Sequence, residues 1–171
     1  MTIVVEDGTG SDPTANSYVT VQELRDFAGS VGYSNLPVDD IELEPLLINA
    51  MYVIEAKCYQ GNRSFADQPL SFPRTGLTHD GVSYPSNEIP VWLKNAQCSY
   101  ALTSNDTALF ISDSGGTYPV KEERVEGAIT IKYDTSKGGV SQTTSDSRAE
   151  SLLEPFYCYG SGGVFAFGVR A

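Results

Sequence analysis

A run of apolar residues between positions 43 and 58 constrains the fold of this chain more than any other sequence feature. The apolar positions recur at spacings of three and four residues, which is the period of one face of an α-helix. Asp39 or Asp40 can cap the start of this helix, and Pro45 fits near its first turn. We therefore predict an amphipathic helix that ends by Gly61. The residues on its buried face are Leu43, Leu46, Leu47, Ala50, Ile54 and Cys58.

Two further segments carry helix-start signals. Thr20 followed by Glu23 has the spacing of a capping box, which predicts a first helix of about ten residues. A third helix is predicted over residues 88–102, with Pro90 in its first turn. Trp92, the single tryptophan, is either a core or lid residue of this helix or a contact to a neighbouring subunit.

A proline-containing loop, residues 69–76, lies between the second and third predicted helices. Pro73 fixes its own backbone and pushes Phe72 towards extended geometry, while Gly76 can adopt a positive φ. These restrictions predict a rigid hook instead of a slack linker. A rigid exposed loop is suited to recognition, so Phe72 and Arg74 are candidates for contact with another molecule.

Strand and linker patterns occupy the two ends of the chain. A short strand is predicted at residues 2–5, and a short helix is possible at residues 107–111. Alternating apolar residues predict a β-hairpin near residues 119–133, with its turn at Glu126-Gly127. Residues 134–147 are too polar to pack and are predicted to be a linker.

The C-terminal segment, residues 148–171, is strongly apolar and aromatic. It either folds back onto its own bundle as one more core helix or reaches a neighbouring subunit or another protein as an anchor. We favour the anchor, because an apolar tail behind a polar linker suits a partner outside the chain's own core. The tail residues assigned to this contact are Leu152, Leu153, Phe156, Tyr157, Phe165 and Phe167.

The predicted fold is mainly α, a compact bundle of about three to five helices with a small β element and an extended C-terminal arm. Its domain organisation is a core at residues 1–133, the linker, and the arm at residues 148–171. A length of 171 residues suits one domain. The sequence has no run of eighteen apolar residues and no leader pattern, so we expect no membrane span, no signal peptide and synthesis in the cytoplasm.

Little in the sequence supports catalysis or metal binding. The odd number and wide spacing of Cys58, Cys98 and Cys158 favour reduced thiols over a disulfide framework or a zinc site. His79, the only histidine, stands beside Asp and Gly in a pattern typical of a turn. No phosphate-binding loop or dinucleotide fingerprint occurs. We therefore expect a protein that is not an enzyme and that has no cofactor and no metal.

The net charge of −11 is concentrated in the N-terminal third. Residues 1–60 contain ten acidic and two basic residues, whereas residues 61–171 contain twelve and nine. Nucleic-acid-binding proteins usually present a basic patch, because neutralisation of phosphates supplies most of the affinity. The acidic charge instead suits a surface that repels phosphates, and a solvated surface for solubility is the alternative. Four acidic residues that complement a helix N-terminus cluster at the start of the second predicted helix; they are Asp39, Asp40, Glu42 and Glu44.

Four motifs of the chain occur in the same order as in a known family. They are IVVEDGTG at residues 3–10, ANSYVT at 15–20, FPRTG at 72–76, and NEIP at 87–90 with KNAQ at 94–97. On these motifs the chain resembles the head-tail connector, or adaptor, proteins of tailed bacteriophages. Many members of that family carry the label DnaT-like single-stranded DNA-binding protein. The resemblance covers residues 3–105 and is loose beyond them.

The resemblance implies a structural protein of the virion, located at the head-tail junction. Connectors form a ring, here of about twelve copies, which lies below the portal and passes genomic double-stranded DNA without binding it tightly. The implied partners are further copies of the chain, the portal protein and a tail or nozzle protein. Phe72, Arg74, Trp92 and the tail would then contact a neighbour or the portal. The four acidic residues, Asp39, Asp40, Glu42 and Glu44, would line the channel of the ring, because acidic walls repel phosphates and keep DNA from sticking. The alternative is a single-stranded nucleic-acid-binding module, in which tyrosine and phenylalanine rings stack on bases.

Overall fold

The computed structural model describes residues 2–109 and 146–158, together with the backbone of two strands, Glu122–Val125 and Ile129–Lys132. The chain divides into two compact units, and residues 110–144 form the second. Its two described strands, β5 and β6, pair antiparallel. The predicted antiparallel strand pair is therefore present, but it belongs to a unit of its own and not to a core spanning residues 1–133. Its predicted turn at Glu126-Gly127 and residues 134–145 of the predicted linker lie outside the described residues.

Four helices pack together in the described part of the first unit. They are α1 Val21–Ser30, α2 Asp40–Glu55, α3 Val91–Asp106 and α4 Ser147–Leu153, which a 3-10 turn, Glu154–Phe156, continues. α3 packs against each of the other three helices. The predicted mainly α fold, a helical bundle with a small β element, is confirmed. No helix in this part of the chain is both long and apolar enough to cross a membrane.

The helix starts follow their sequence signals closely. Thr20 accepts the N–H of Glu23 with its hydroxyl, and the Glu23 carboxylate accepts the N–H of Thr20, which completes the predicted capping box. Asp39 is the N-cap residue of α2, as predicted, but its side chain makes no capping hydrogen bond. α3 begins slightly later than predicted, because Pro90 is its N-cap and not a residue of its first turn.

Two pairs of very short antiparallel strands connect α2 and α3. β1 Asn62–Arg63 pairs with β2 Arg74–Thr75, and β3 Thr78–His79 pairs with β4 Val82–Ser83. The first pair joins the predicted hook at residues 69–76 to the segment that follows α2.

Two predicted elements at the chain ends differ from the structure. Residues 2–5 form only an isolated bridge, Val5 to Ser17, because the Asn16 side chain accepts the N–H of Val4 in place of a strand partner. The helix considered at residues 107–111 does not continue α3, since Thr107 ends that helix with extended backbone. Residues 110 and 111 lie outside the described part.

The start of the predicted C-terminal arm belongs to the core of the first unit. Asp146 caps α4 by accepting the N–H groups of Arg148 and Ala149, and it also accepts the hydroxyls of Ser99 and Thr103 on α3. α4 packs against α3, and α4 and the turn after it bury three side chains in the core; they are Ala149, Leu153 and Phe156. The structure therefore corrects the arm prediction for residues 148–158, while residues 159–171 lie outside the described part.

A disulfide joins Cys58 to Cys158, contrary to the predicted reduced thiols. The two cysteines are 100 residues apart in sequence, so no short-range spacing in the sequence predicts the disulfide. A bridge between Tyr59 and Tyr157 and a hydrogen bond from the Cys158 N–H to the Cys58 carbonyl bring the segments together. Cys98 is free and buried, as predicted, whereas Cys58 is exposed beyond the end of α2.

Candidate functional site

Phe72 lies at the centre of an aromatic cluster instead of on the surface. Its ring meets the rings of Tyr18, Tyr59 and Trp92 edge to face, with centroid separations of 6.1, 4.9 and 5.6 Å. The side chain is fully buried, and the Phe72–Pro73 peptide bond is cis. The structure thus assigns Phe72 to the core, where it cannot contact a partner unless the loop opens.

Arg74 holds the hook to the end of α2. Its guanidinium donates to the backbone carbonyls of Tyr59, Gln60, Gly61 and Ser71 at 2.7–3.2 Å. Because a guanidinium has five N–H donors, nearly all of its hydrogen-bonding capacity is used inside the chain. Burial lowers its pKa. The predicted contact of Arg74 across a subunit interface is therefore replaced by an intramolecular one.

Two glycines permit this close approach of the loops. Gly76 has the predicted positive φ, at 77°. Gly61 has a φ of 70°, and a Cβ atom there would lie 2.1 Å from the carbonyl oxygen of Thr75. A side chain at position 61 would therefore separate β1 from β2.

Trp92 stacks on the tail. Its ring lies parallel to that of Phe156, with centroids 3.7 Å apart, and Tyr84 meets both rings edge to face. Trp92 is half-buried, and its Nε1–H is buried without a hydrogen-bond partner among the described residues. Of its two predicted roles, the structure shows the core or lid role, with Phe156 as the residue that it covers.

Glu150 ties α4 to the rest of the bundle. Its carboxylate accepts hydrogen bonds from Lys57, Tyr100 and Tyr157. Burial alone would raise the pKa of Glu150, but these hydrogen bonds outweigh it and hold the pKa below its usual value. Burial, and then the bond to this carboxylate, raise the pKa of both tyrosines. Tyr157 is thus engaged in its own chain, and Leu152 packs partly buried against the same core.

The motif at residues 3–10 forms a loop around a buried carboxylate. Glu6 is almost fully buried, and one of its oxygens accepts the N–H groups of Gly8 and Gly10, both at 2.9 Å. Its other oxygen has no hydrogen-bond partner among the described residues. The loop packs closely on the NEIP motif at residues 87–90, since a Cβ atom at Gly8 would lie 2.4 Å from the carbonyl oxygen of Asn87.

Gln97 links two further motifs through the core. Its side chain accepts the N–H of Tyr18 at 2.9 Å and donates to the Ser17 hydroxyl and the Leu47 carbonyl. Sequence reasoning missed Glu6 and Gln97, although both lie within the quoted motifs. The motifs therefore hold one another in place, which gives the bundle a rigid polar framework.

The four acidic residues predicted to line a channel lie at the start of α2. Asp39, Asp40 and Glu42 are exposed, and Glu44 is half-buried. Asp40 forms an ion pair with Arg25 at 2.7 Å. Their position beside a helix N-terminus is electrostatically favourable, and the assignment to a channel wall stays a prediction.

Most basic side chains of the described residues are bonded inside the chain. Arg25 pairs with Asp40, Lys57 with Glu150 and Lys94 with Glu23. Arg74 binds backbone carbonyls as described above, and Arg63 makes a long contact of 3.5 Å to the Gln68 carbonyl. The sixth, Arg148, lies at an open polar groove of about 680 Å³ beside α3 and α4. These six are opposed by seventeen acidic residues within 2–109 and 146–158, so the described surface offers phosphates no concentrated basic patch.

The groove beside Arg148 does not assemble a reactive centre. Its carboxylates are already engaged, since Asp106 accepts the hydroxyl of Tyr33 and Asp146 caps α4. Within the described part of the chain, no group of three or more histidine, cysteine, aspartate or glutamate residues is placed to hold a metal ion. His79 lies on a two-residue strand, half-exposed, with Asp80 3.3 Å away.

Comparison with known proteins relates the chain to one described family. No curated protein and no solved structure matches it. The whole sequence, residues 1–171, matches the family described as "Putative DnaT-like ssDNA binding protein". The chain therefore belongs to the DnaT-like ssDNA-binding family.

Proposed function

We propose that the protein is a structural head-tail connector of a tailed bacteriophage, which forms a ring below the portal and lines the channel for genomic DNA. The observation that carries this proposal is that most basic side chains are already bonded within their own chain. Five of the six in the described residues bond to their own chain, while acidic residues outnumber them almost three to one. A surface of this charge repels phosphates, which suits a channel that must not retain DNA.

The internal framework of the first unit also supports a connector. Arg74, Gln97 and Glu150 each join segments that are distant in sequence, and the Cys58–Cys158 disulfide closes the end of the bundle. Rigid subunits lose little conformational freedom when they associate, which favours regular assembly. The proposed partners are further copies of the chain, in a ring of about twelve, the portal protein and a tail or nozzle protein.

The proposed contacts differ from the predicted set. Phe72, Arg74, Leu153 and Phe156 are committed to the fold of one chain, so they are removed from the proposed interface. The anchoring role is retained for residues 159–171, whose Phe165 and Phe167 lie outside the described part.

Single-stranded DNA binding is the second candidate function, and the family description names it directly. Two exposed aromatic rings could stack on bases: Tyr52 on α2 and Phe65 on the loop after β1, with Arg63 two residues before Phe65. The surrounding acidic surface opposes such binding, because backbone neutralisation would have to come from very few cations.

The experiment that separates the two functions measures binding of a fluorescent single-stranded oligonucleotide to the full chain across a salt series. The connector predicts no saturable binding at about 0.15 M salt, and co-sedimentation with the portal protein in the same buffer. A micromolar affinity that falls with salt and is lost in Phe65→Ala, but kept in the matched control Val82→Ala, would establish DNA binding instead. Val82 is exposed on β4, remote in sequence from both rings.

A further inference from the structure

The start of α2 presents two aliphatic side chains that are almost completely exposed. Val38 is 88% exposed and Ile41 is 78% exposed. Asp39 and Glu42 alternate with them and are exposed as well, and neither carboxylate has a hydrogen bond or ion pair among the described residues. Residues 38–42 are called the acidic knob below. Such a combination of bare aliphatic groups with charged neighbours is typical of a contact surface with a polar rim.

Arg25 holds the backbone of the acidic knob in place. Arg25 donates to the carbonyls of Pro37 and Val38 at 3.2 and 2.6 Å, and it pairs with the Asp40 carboxylate. These bonds fix the backbone of the knob before any partner arrives. A surface that is already ordered loses less entropy on binding.

A second surface offers one exposed cation and one exposed ring. Phe65, on the loop after β1, is 42% exposed, and Arg63, the last residue of β1, is exposed two residues before it. Gln68 fixes this loop, since its side chain accepts the N–H of Phe65 and donates to the Leu70 and Pro73 carbonyls. Residues 63–65 are called the Arg63–Phe65 patch; Asp67 is the other charged residue of the loop.

The two surfaces lie at opposite ends of the bundle. Asn105, near the end of α3, donates to the carbonyl of Asn35, just before the acidic knob. Ser64, inside the Arg63–Phe65 patch, donates to the carbonyl of Ser86, just before α3 begins. The sixteen residues of α3 span about 24 Å, so the knob cannot reach the patch of its own chain.

We infer that the acidic knob of one copy docks on the Arg63–Phe65 patch of the next copy, with Val38 and Ile41 against the Phe65 ring and Glu42 paired with Arg63. A contact between different surfaces of identical chains is heterologous, and it closes into a ring when the rotation between copies allows. The inference rests on the proposed connector function for ring closure. Two aliphatic side chains cover much less than the roughly 800 Å² per partner of a standard interface, so the contact is weak between free copies and strengthened when the portal aligns them.

The test uses charge reversal in the full chain. Glu42→Arg and Arg63→Glu should each weaken self-association about tenfold or more, measured by sedimentation velocity over a concentration series. An equimolar mixture of the two variants should recover wild-type association, since each reversed knob then meets a reversed patch. Val82→Asp, an exposed site outside both surfaces, serves as the matched control. Glu42→Gln, with unchanged melting temperature, excludes a folding defect and should weaken association less than Glu42→Arg.

The outcomes separate this contact from the proposed function. Portal-bound rings that form equally well with wild type and both variants would overturn the contact and leave the connector standing. Self-association that is lost in the variants and recovered in the mixture, without any portal complex, would support the contact and remove the connector. A wild-type chain that stays monomeric at about millimolar concentration, with and without portal, would overturn both.

Discussion

Replacing Phe156 with alanine tests whether the segment after α4 belongs to the core or to an anchoring arm. Phe156 is almost fully buried, stacks on Trp92 at 3.7 Å, and meets the rings of Tyr84 and His79. Loss of a buried phenylalanine side chain costs about 3–5 kcal/mol of unfolding free energy, through lost transfer energy and the cavity left behind. Against a total of about 5–15 kcal/mol for a domain of this size, the variant should be severely destabilised.

The assay is urea unfolding followed by the fluorescence of Trp92, which is the only tryptophan and touches the substituted ring. With a slope of about 2 kcal/mol per molar urea, the midpoint should fall by about 1.5–2.5 M. Phe156→Leu keeps most of the volume and should cost less than about 1.5 kcal/mol. Leu152→Ala, at a partly buried neighbour, controls for position in the segment.

A loss below about 1 kcal/mol for Phe156→Ala, with unchanged Trp92 emission in the native state, would refute this account of the core. It would mean that Phe156 does not pack on Trp92 in solution. Residues 148–158 would then be available as part of an anchor, as their composition alone suggested.

Three further perturbations test the contacts that close the bundle. Glu150→Gln should cost about 2 kcal/mol, because charged hydrogen bonds to Lys57, Tyr100 and Tyr157 are lost. Folding lowers the pKa of Glu150 from its usual value near 4.5, so the stabilisation from its carboxylate is complete above that pH and is lost below it. In thermal melts from pH 7 to 3, the wild type should therefore lose stability more steeply than Glu150→Gln. Arg74→Lys should cost about 1–3 kcal/mol in urea unfolding, because an ammonium cannot reach four carbonyls at once, and a cost near zero would contradict the intramolecular role. Cys58→Ser should cost about 2–4 kcal/mol relative to the oxidised wild type. Thiol titration should find no reactive thiol in the native oxidised protein, because burial raises the pKa of Cys98 to about 12. It should find one thiol in denaturant and three thiols in denaturant after reduction. Three thiols in denaturant without reduction would rule out the disulfide.

The helices and the hook were predictable because their signals are local. The capping box at Thr20 and Glu23, the three-to-four residue period of α2 and the positive φ of Gly76 each depend on residues within one or two turns. Local chemistry of this kind survives in almost any tertiary context. The antiparallel pair β5 and β6 followed from alternation for the same reason.

Contacts between distant segments could not be predicted from a single sequence. Cys58 and Cys158, 100 residues apart in sequence, lie beside the bridge between Tyr59 and Tyr157. The helical period places Gln97 on or near the buried side of α3, but it does not indicate that the side chain bonds to Tyr18 and Leu47. Long-range pairs leave no periodic trace in the sequence.

The assignment of Phe72 and Phe156 to an interface instead of the core has a related cause. Aromatic residues suit a core and an interface equally well, because both bury apolar area. Phe72 and Phe156 therefore could not be separated from true surface anchors by composition. Exposed aliphatic residues such as Val38 and Ile41 carried no such signal, and only the structure shows that they are bare.

Native mass spectrometry of the full chain mixed with its portal protein and a single-stranded oligonucleotide tests the central claim most directly, because the two proposed partners compete in one sample. The connector account predicts a complex of about a dozen copies of the chain on the portal, with no oligonucleotide bound to the chain. A monomer or dimer that ignores the portal and carries the oligonucleotide would contradict it.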